Sequence, residues 1–234
     1  MTYAGIQRWL PLWLRRYVLH FDYAIEDAVA RFAQSLPAGA AVLDAGAGES
    51  RHRQHFARHQ YVALDLAVGD QQWDYGALDV LGDLSRLPLR DSSFDAALNI
   101  VTLEHVREPA LVVKELARVL KPGGRLLMVV PHEWEVHQAP HDYFRYTQHG
   151  LRYLLESAGL AVETLDPVGG YFRLMSRRVL NGLQFFPGPF LLLAALIAVP
   201  VGLLLPLLDG LDRQRNFTLG YRCLASKPAR SATI

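Results

Sequence analysis

Apolar residues recur along this chain with two different periods, and the switches between them mark out its elements. From Leu14, the residues Val18, Phe21, Ile25, Val29 and Phe32 return every three or four positions, the spacing that lines one face of an α-helix. The pattern predicts one amphipathic helix, begun near Pro11 and stopped by Pro37. From residue 40 short apolar runs alternate with helical stretches. Segments 41–44, 61–66, 95–100, 125–130 and 161–165 read as strands, 110–120 and 150–158 as helices, and the polar stretch 49–60 has helical character. Lys121-Pro122-Gly123-Gly124 is a helix stop and turn, and Gly159 follows the last turn of 150–158. Strand–helix–strand alternation with short connections predicts an α/β fold, a doubly wound and mostly parallel sheet with helices on both faces.

One stretch fits neither period. Residues 179–208 carry no ionisable group, and 190–208 are apolar throughout except for Pro200, Gly202 and Pro206. By length this reads first as a membrane helix. Residues 1–20 do not read as a signal peptide, because Arg15 and Arg16 interrupt the apolar run and no small-residue cleavage site follows.

Composition narrows the picture further. The 234 residues are 51% hydrophobic and 20% charged, which excludes global disorder and suits one decorated α/β domain. The positive mean hydropathy, +0.09, comes mostly from the apolar stretch. With 24 Lys plus Arg against 23 Asp plus Glu, the net charge of +1 provides no overall field to hold nucleic acid, so no nucleic-acid partner is expected. Cys223 is the single cysteine, which excludes an intrachain disulfide and favours a reducing cytoplasm.

The chemistry concentrates in Val42-Leu43-Asp44-Ala45-Gly46-Ala47-Gly48-Glu49-Ser50. A buried strand ends in an acid, then two glycines allow a tight turn beneath a ligand. A nicotinamide fingerprint needs a third glycine three positions after Gly48, where Arg51 stands, so an NAD(P)-dependent oxidoreductase is a disfavoured alternative. Asp44 suits a ligand end that carries positive charge. Asp65, closing the second strand, stands where an acid can accept ribose hydroxyls.

In order and spacing these residues resemble the class I S-adenosylmethionine-dependent methyltransferases, type 11 group, over residues 40–159. The resemblance rests on 42–50, Asp65, Gly82-Asp83-Leu84 with Leu87-Pro88, Ser93-Phe94-Asp95, Leu103-Glu104-His105-Val106 and the 121–124 turn. Ser50 departs from it, standing where many members carry a third glycine; with a helix already begun there, the change is expected to be tolerated. The resemblance implies a seven-stranded Rossmann-like sheet and S-adenosylmethionine as cofactor. Gly46 and Gly48 would let the backbone approach it, Asp44 and Asn99 would lie near its methionine end, Asp65 would hold the ribose, and Asp83 with the Leu84 N–H would meet the adenine edge. Methyl transfer from a sulfonium is an in-line displacement by an already activated donor, so no fixed catalytic residue follows from these motifs.

Acceptor-side groups are expected after the fifth strand. His132 and His141 there, and His105 after the fourth, are candidate bases. His132, His137 and His141 match no tight zinc spacing, so no metal is expected. The cluster His52, Arg53, His55, Arg58 and His59 reads as a solvated face.

Segment 216–226 resembles the last strand of that family's sheet, which requires it on the same side of a membrane as the others. A single crossing would separate them, and thirty residues cannot make two crossings of about 20 residues each. A hairpin dipping into one leaflet remains, bent at Pro187-Gly188-Pro189 or Pro200. Arg177, Arg178, Arg213 and Arg215 would meet headgroups, and Trp9, Trp13, Arg15 and Arg16 of the first helix the same interface. The expected organisation is an N-terminal helix (1–37) and a methyltransferase domain (38–234) with a membrane-associated insert (177–215). Expected function is methyl transfer to a small-molecule, lipid-linked or apolar acceptor at the cytoplasmic face of the inner membrane, with the chain monotopic or re-entrant. A motif resemblance in 142–151 to methyltransferases among bacterial polysaccharide-synthesis proteins points the same way. The alternative is a non-catalytic sensor or assembly protein that binds the same cofactor.

Overall fold

The computed structural model describes residues 11–70 and 72–229. They divide into two compact units, one of residues 25–166 with the chain from 221, the other of residues up to 24 with 167–220.

The larger unit is built on a seven-stranded sheet. Its strands are β1 (Ala41–Ala45), β2 (Gln60–Asp65), β3 (Val80–Leu81), β4 (Phe94–Ile100), β5 (Leu120–Pro131), β6 (Ala161–Val168) and β7 (Gly220–Ser226), in the order β3-β2-β1-β4-β5-β7-β6. The pairs β1–β2, β1–β4, β2–β3 and β4–β5 are parallel. At the other side Gly123 N–H donates to the Lys227 carbonyl (2.8 Å) and Lys227 N–H to Gly124 (2.9 Å). The end of β7 thus lies beside the start of β5, and β7 runs against it. Central strands are buried on both faces: Val42, Leu43, Ala96, Ala97, Leu98 and Leu126 are inaccessible to solvent. That is why they read as continuous apolar runs instead of alternating ones.

The chain's first helix, α1 (Leu12–Val18), belongs to the smaller unit, and the second, α2 (His20–Ser35), enters the larger one from Ile25. The third, α3 (Pro109–Val119), starts on a proline and buries Val112, Val113 and Leu116. The fourth, α4 (Gln148–Ser157), is capped by Thr147, whose hydroxyl accepts from Gly150 N–H at 3.1 Å, and buries Leu151 and Leu155.

Two local expectations are revised, and one strand, β3, lies outside the predicted segments. The single N-terminal helix is two helices broken at Leu19, because Arg173 Nη1 takes the Tyr17 carbonyl (3.5 Å) that a continuous helix would use. β3 has two residues, too few for any periodicity. Residues 51–56 form a 3₁₀ helix preceded by Ser50 at φ +57°, so Ser50 lies before the helix in a left-handed conformation that favours glycine. Ser50→Gly is expected to stabilise the fold by about 0.5–1 kcal/mol, read in denaturant unfolding; its one weak side-chain bond, to the Ala77 carbonyl at 3.3 Å, offsets little. An unchanged or lower midpoint would mean that the hydroxyl matters more than the backbone.

In the smaller unit, α5 (Tyr171–Asn181) and α6 (Pro189–Leu204) form a helical hairpin, followed by a 3₁₀ segment, Leu205–Leu211. The reversal occurs at 182–188, so of the two expected bend points the Pro187–Pro189 one is used, and the helix continues through Pro200. Gly202 lets the helices close: a β-carbon there would stand 2.7 Å from Leu180 Cγ. Pro206 has no N–H for the carbonyls one turn earlier. Ser176 Oγ–H donates to the Gly202 carbonyl instead, and Tyr17 O–H to Leu203 at 2.7 Å. Asp209 is buried between Arg173 and Arg215. Arg215, expected at headgroups, makes an ion pair with Asp209 through Nη1 and keeps a third of its side chain exposed. Trp13 is exposed as expected, whereas Trp9 lies outside the described residues.

Candidate active site

Four strands deliver the expected ligand-binding residues to the carboxyl edge of the sheet, where ligands of open α/β folds bind. After β1 the chain turns at Gly46 (φ +88°) and Gly48 (φ +53°), and the N–H groups of Gly46 and Ala47 are tied to the Leu64 carbonyl at 2.8 and 3.1 Å. A β-carbon on Gly46 would stand 2.2 Å from Thr102 Cγ2, and one on Gly48 would stand 3.1 Å from the Trp73 ring. Both glycines are thus required by their conformation and by close neighbours.

Asp65 anchors this loop: Oδ2 accepts from Gly48 N–H (2.9 Å) and Oδ1 from Ala67 N–H (2.8 Å). Its carboxylate organises the turn before it meets any ligand. Gly82 N–H bonds to the Asp65 carbonyl (3.0 Å), bringing Asp83 to the same edge. Asp83 is exposed and caps the short helix Leu84–Arg86 through Ser85 N–H and Oγ–H, both 2.8 Å from Oδ1; the Leu84 side chain is in the core.

Asp44 is 1% exposed. Tyr61 O–H donates to its Oδ2, while Oδ1 has no partner. Burial pushes its carboxyl up to about 6, and the nearby charge of Asp65 adds to the rise. Asn99, wholly buried, donates Nδ2–H to the Ala45 carbonyl (2.8 Å) and also keeps an unpartnered oxygen. Two buried acceptors without donors therefore flank the glycine loop.

The candidate bases separate. His132 Nδ1 lies 2.9 Å from the Tyr146 carbonyl and its ring packs on Tyr221; His141 Nδ1 lies 3.2 Å from Tyr143 Oη. His105 instead joins Glu104 and His137. Glu104 is fully buried, neither carboxylate oxygen has a hydrogen bond, and burial raises its carboxyl to about 8. Beside them Arg145 grips Asp142 through Nη1 (2.6 Å) and Nη2 (2.8 Å), holding that acid down at about 2.

Tyr61, Trp73, Thr102 and Glu104 were not singled out from sequence as site residues. Glu104 alone carried a signal, as part of a motif. The cluster after the glycine loop is a solvated face only in part: Arg58 is exposed, but His52 is buried, with Nδ1 3.7 Å from Glu26, His55 Nε2 is 3.1 Å from the same acid, and Arg53 pairs with Asp79 at 2.6 Å.

Residues 43–128 match the family described as a methyltransferase domain, type 11. The chain is 33% identical over 138 residues to a probable S-adenosylmethionine-dependent methyltransferase of Mycolicibacterium smegmatis, covering 54% of each chain. It is 33% identical over 132 residues to malonyl-(acyl-carrier protein) O-methyltransferase of Herminiimonas arsenicoxydans, covering 53% of this chain and 50% of that one. Among the first curated relatives it spans 32%, 36% and 54% of their own lengths, about half or less. The fold is similar to that of the Burkholderia thailandensis 1,6-didemethyltoxoflavin-N1-methyltransferase, with TM-score 0.52, 20% identity and coverage of 93% of this chain and 85% of that one. With that sheet order, that glycine loop and these relatives, residues 43–128 form a class I S-adenosylmethionine-dependent methyltransferase domain of the type 11 group.

Proposed function

We propose that this protein is a membrane-associated methyltransferase acting on a lipid-linked or apolar acceptor. The residues at the carboxyl edge fit S-adenosylmethionine. The unpartnered Asp44 Oδ1, at the end of β1, is an acceptor for a cationic group, and a second acid, Asp65, stands beside the loop. Two acids in one place favour a ligand carrying an ammonium and a sulfonium over a pyrophosphate. The positive φ at Gly46 and Gly48 makes the tight turn that brings Asp44 and Asp65 to one edge. Asp65 and Asp83 would hold the nucleoside, and Asp44 and Asn99 the amino-acid end. When bound, this cofactor supplies an activated methyl group. The chain supplies alignment, exclusion of water and, for an oxygen acceptor, a route for the acceptor's proton.

The observation that carries the membrane part is α6. Leu192, Leu193, Leu196, Ile197 and Leu204 are each more than 60% exposed on a helix with no charged residue. Pro189–Leu211 is long and apolar enough to cross a membrane. Its partner α5 has 11 residues, about 16 Å at 1.5 Å per residue, too short for a second crossing of ~30 Å. β6 and β7, on either side of the insert, lie in one sheet. A hairpin resting in one leaflet satisfies both facts, at the cytoplasmic face where cofactor is available.

Incubation with methyl-labelled cofactor and membrane extract, followed by solvent fractionation, tests this reading. Label is expected in the organic phase. Label confined to the aqueous phase would exclude a lipid acceptor, and cofactor binding without any transfer would leave the sensor reading. Asp65→Ala is expected to weaken cofactor binding by roughly 1.5–3 kcal/mol, through lost ribose bonds and a loosened Gly48 turn. Calorimetry showing unchanged affinity would remove Asp65 from the ribose site.

A further inference from the structure

We propose that Glu104, His105 and His137 form a binding site for one divalent transition-metal ion, zinc by donor set. His105 Nε2 lies 3.7 Å and His137 Nε2 3.9 Å from the same oxygen, Glu104 Oε1. One ligand atom from each residue falls within 4.8 Å of the other two. A tetrahedral ion with bonds of about 2.1 Å holds its ligand atoms about 3.4 Å apart, so each histidine closes on Glu104 by about half an ångström or less, and the two histidines on each other by at most about 1.4 Å, within reach of side-chain rotation.

The hydrogen-bond pattern decides what these atoms are. His105 Nδ1 is 2.6 Å from the His141 carbonyl, which can only accept, so Nδ1 carries the proton and Nε2 the lone pair. His137 Nδ1 faces two acceptors, the Glu135 carbonyl at 3.2 Å and Asp142 Oδ2 at 3.4 Å; Arg145 Nη2, at 3.5 Å, is the more distant neighbour. Its Nε2 is likewise left with a lone pair. With Glu104 ionised, as a metal-ligating carboxylate is, three acceptors converge, with no hydrogen bond to either Glu104 oxygen or to His105 Nε2. Lone pairs facing one another in a buried site call for a cation.

The surroundings are those of a built site. Backbone carbonyls fix both imidazole tautomers, as the outer partners of metal-bound histidines do. Asp142, held by Arg145, accepts from His137 N–H at 2.9 Å and sets the start of that ligand. The N–H groups of Tyr143 and Phe144 bond to the Glu104 carbonyl at 2.9 and 3.2 Å, fastening the loop after β5 to the one after β4. Two histidines and one carboxylate leave a fourth position open, the arrangement of catalytic zinc sites. Thr102, two residues before Glu104, bonds to the Gly46 carbonyl at 3.2 Å, so the site adjoins the glycine loop. On the methyltransferase reading, the open position would take an acceptor hydroxyl: its O–H proton would pass to water, and the oxygen's electron pair would form the O–CH3 bond as the sulfonium's S–CH3 bond breaks and S-adenosylhomocysteine leaves.

Full-length protein in detergent, stripped with chelator, is titrated with cobalt(II) chloride and, separately, with zinc chloride. One ion per chain is expected to survive dialysis by elemental analysis, and the cobalt form is expected to show the strong visible bands of a four- or five-coordinate site. Glu104→Gln and His137→Ala are each expected to weaken metal binding more than roughly a hundredfold, beyond the scale at which outer partners act. His132→Ala, outside the triad, is expected to leave it unchanged. S-adenosylmethionine affinity, measured by calorimetry on the same samples, reports separately on the fold and on the methyltransferase reading. Failure of the wild type to retain stoichiometric ion at micromolar metal overturns the proposal, with no variant required. So does an ion held equally well by Glu104→Gln and His137→Ala.

Discussion

Replacing Leu192, Leu193, Leu196, Ile197 and Leu204 together by Ser is expected to move the protein from the membrane fraction to the soluble one. The wild type should stay with membranes in high salt and leave them in detergent. Each of these side chains is well exposed on α6 and makes no large contribution to burial within the chain. Moving one Leu or Ile from water into hydrocarbon is worth about 1.5–3 kcal/mol, so the five together account for on the order of 10 kcal/mol of membrane attachment. Arginines near headgroups add about 1 kcal/mol each and are screened by salt. The contacts that hold the hairpin together, Ser176 to Gly202 and Gly202 against Leu180, do not involve the replaced residues. Cofactor affinity should therefore stay within about twofold of wild type, since the replaced residues belong to the other compact unit. Wild-type protein that is soluble without detergent would show that this apolar face serves a protein contact and not a bilayer.

Asp44→Asn is expected to change stability and cofactor affinity in opposite directions. The carboxyl titrates at about 6 when folded against an ordinary 3.8, chiefly because it is buried. Between these values the folded chain binds more protons than the unfolded one, so stability of the cofactor-free protein falls as pH rises through that window and stays reduced above it. Asn has no charge to desolvate. At neutral pH the substitution should stabilise the cofactor-free protein by up to about 3 kcal/mol, a shift of two units converted at 1.36 kcal/mol each. Near pH 4 the gain should vanish. Cofactor binding should weaken by about 1.5–3 kcal/mol, the scale of a lost charge-assisted bond to a cation. Denaturant unfolding at the two pH values and calorimetry with S-adenosylmethionine check the two halves. A variant that is less stable at neutral pH would show that Asp44 is held ionised by its surroundings.

Much of the framework is local and was therefore legible before any coordinates. An apolar run ending in Asp44, then glycines at 46 and 48, encodes a buried strand and a turn with positive φ using neighbouring residues only. The same holds for Thr147 before α4 and for Gly159 after it. The insert stood out by composition, and the expected bend at Pro187–Pro189 follows from residues that cannot continue a helix. Where the reading missed, a distant partner intervened. Periodicity runs unbroken past Leu19, yet the helix breaks there because Arg173, 156 positions further along the chain, takes the Tyr17 carbonyl. Ser50 was read as helical because the segment after it is polar and helix-like; its φ is set by the turn that precedes it.

The sequence alone therefore determined six of the seven strands and the helices after β4 and β5, the glycine loop with Asp44 and Asp65, and the presence of an apolar hairpin, since each is written in contiguous residues or in one regular spacing. The triad of Glu104, His105 and His137 was decided only by tertiary structure. Its members lie on loops after β4 and β5, 32 positions apart between the two histidines, and meet because those strands are parallel neighbours in the sheet. Local histidine spacing grouped His132, His137 and His141, whereas the fold turns His132 toward Tyr146 and His141 toward Tyr143. Strand adjacency, a property of the whole sheet, chooses which side chains converge, and burial of Glu104 among them follows from the same packing.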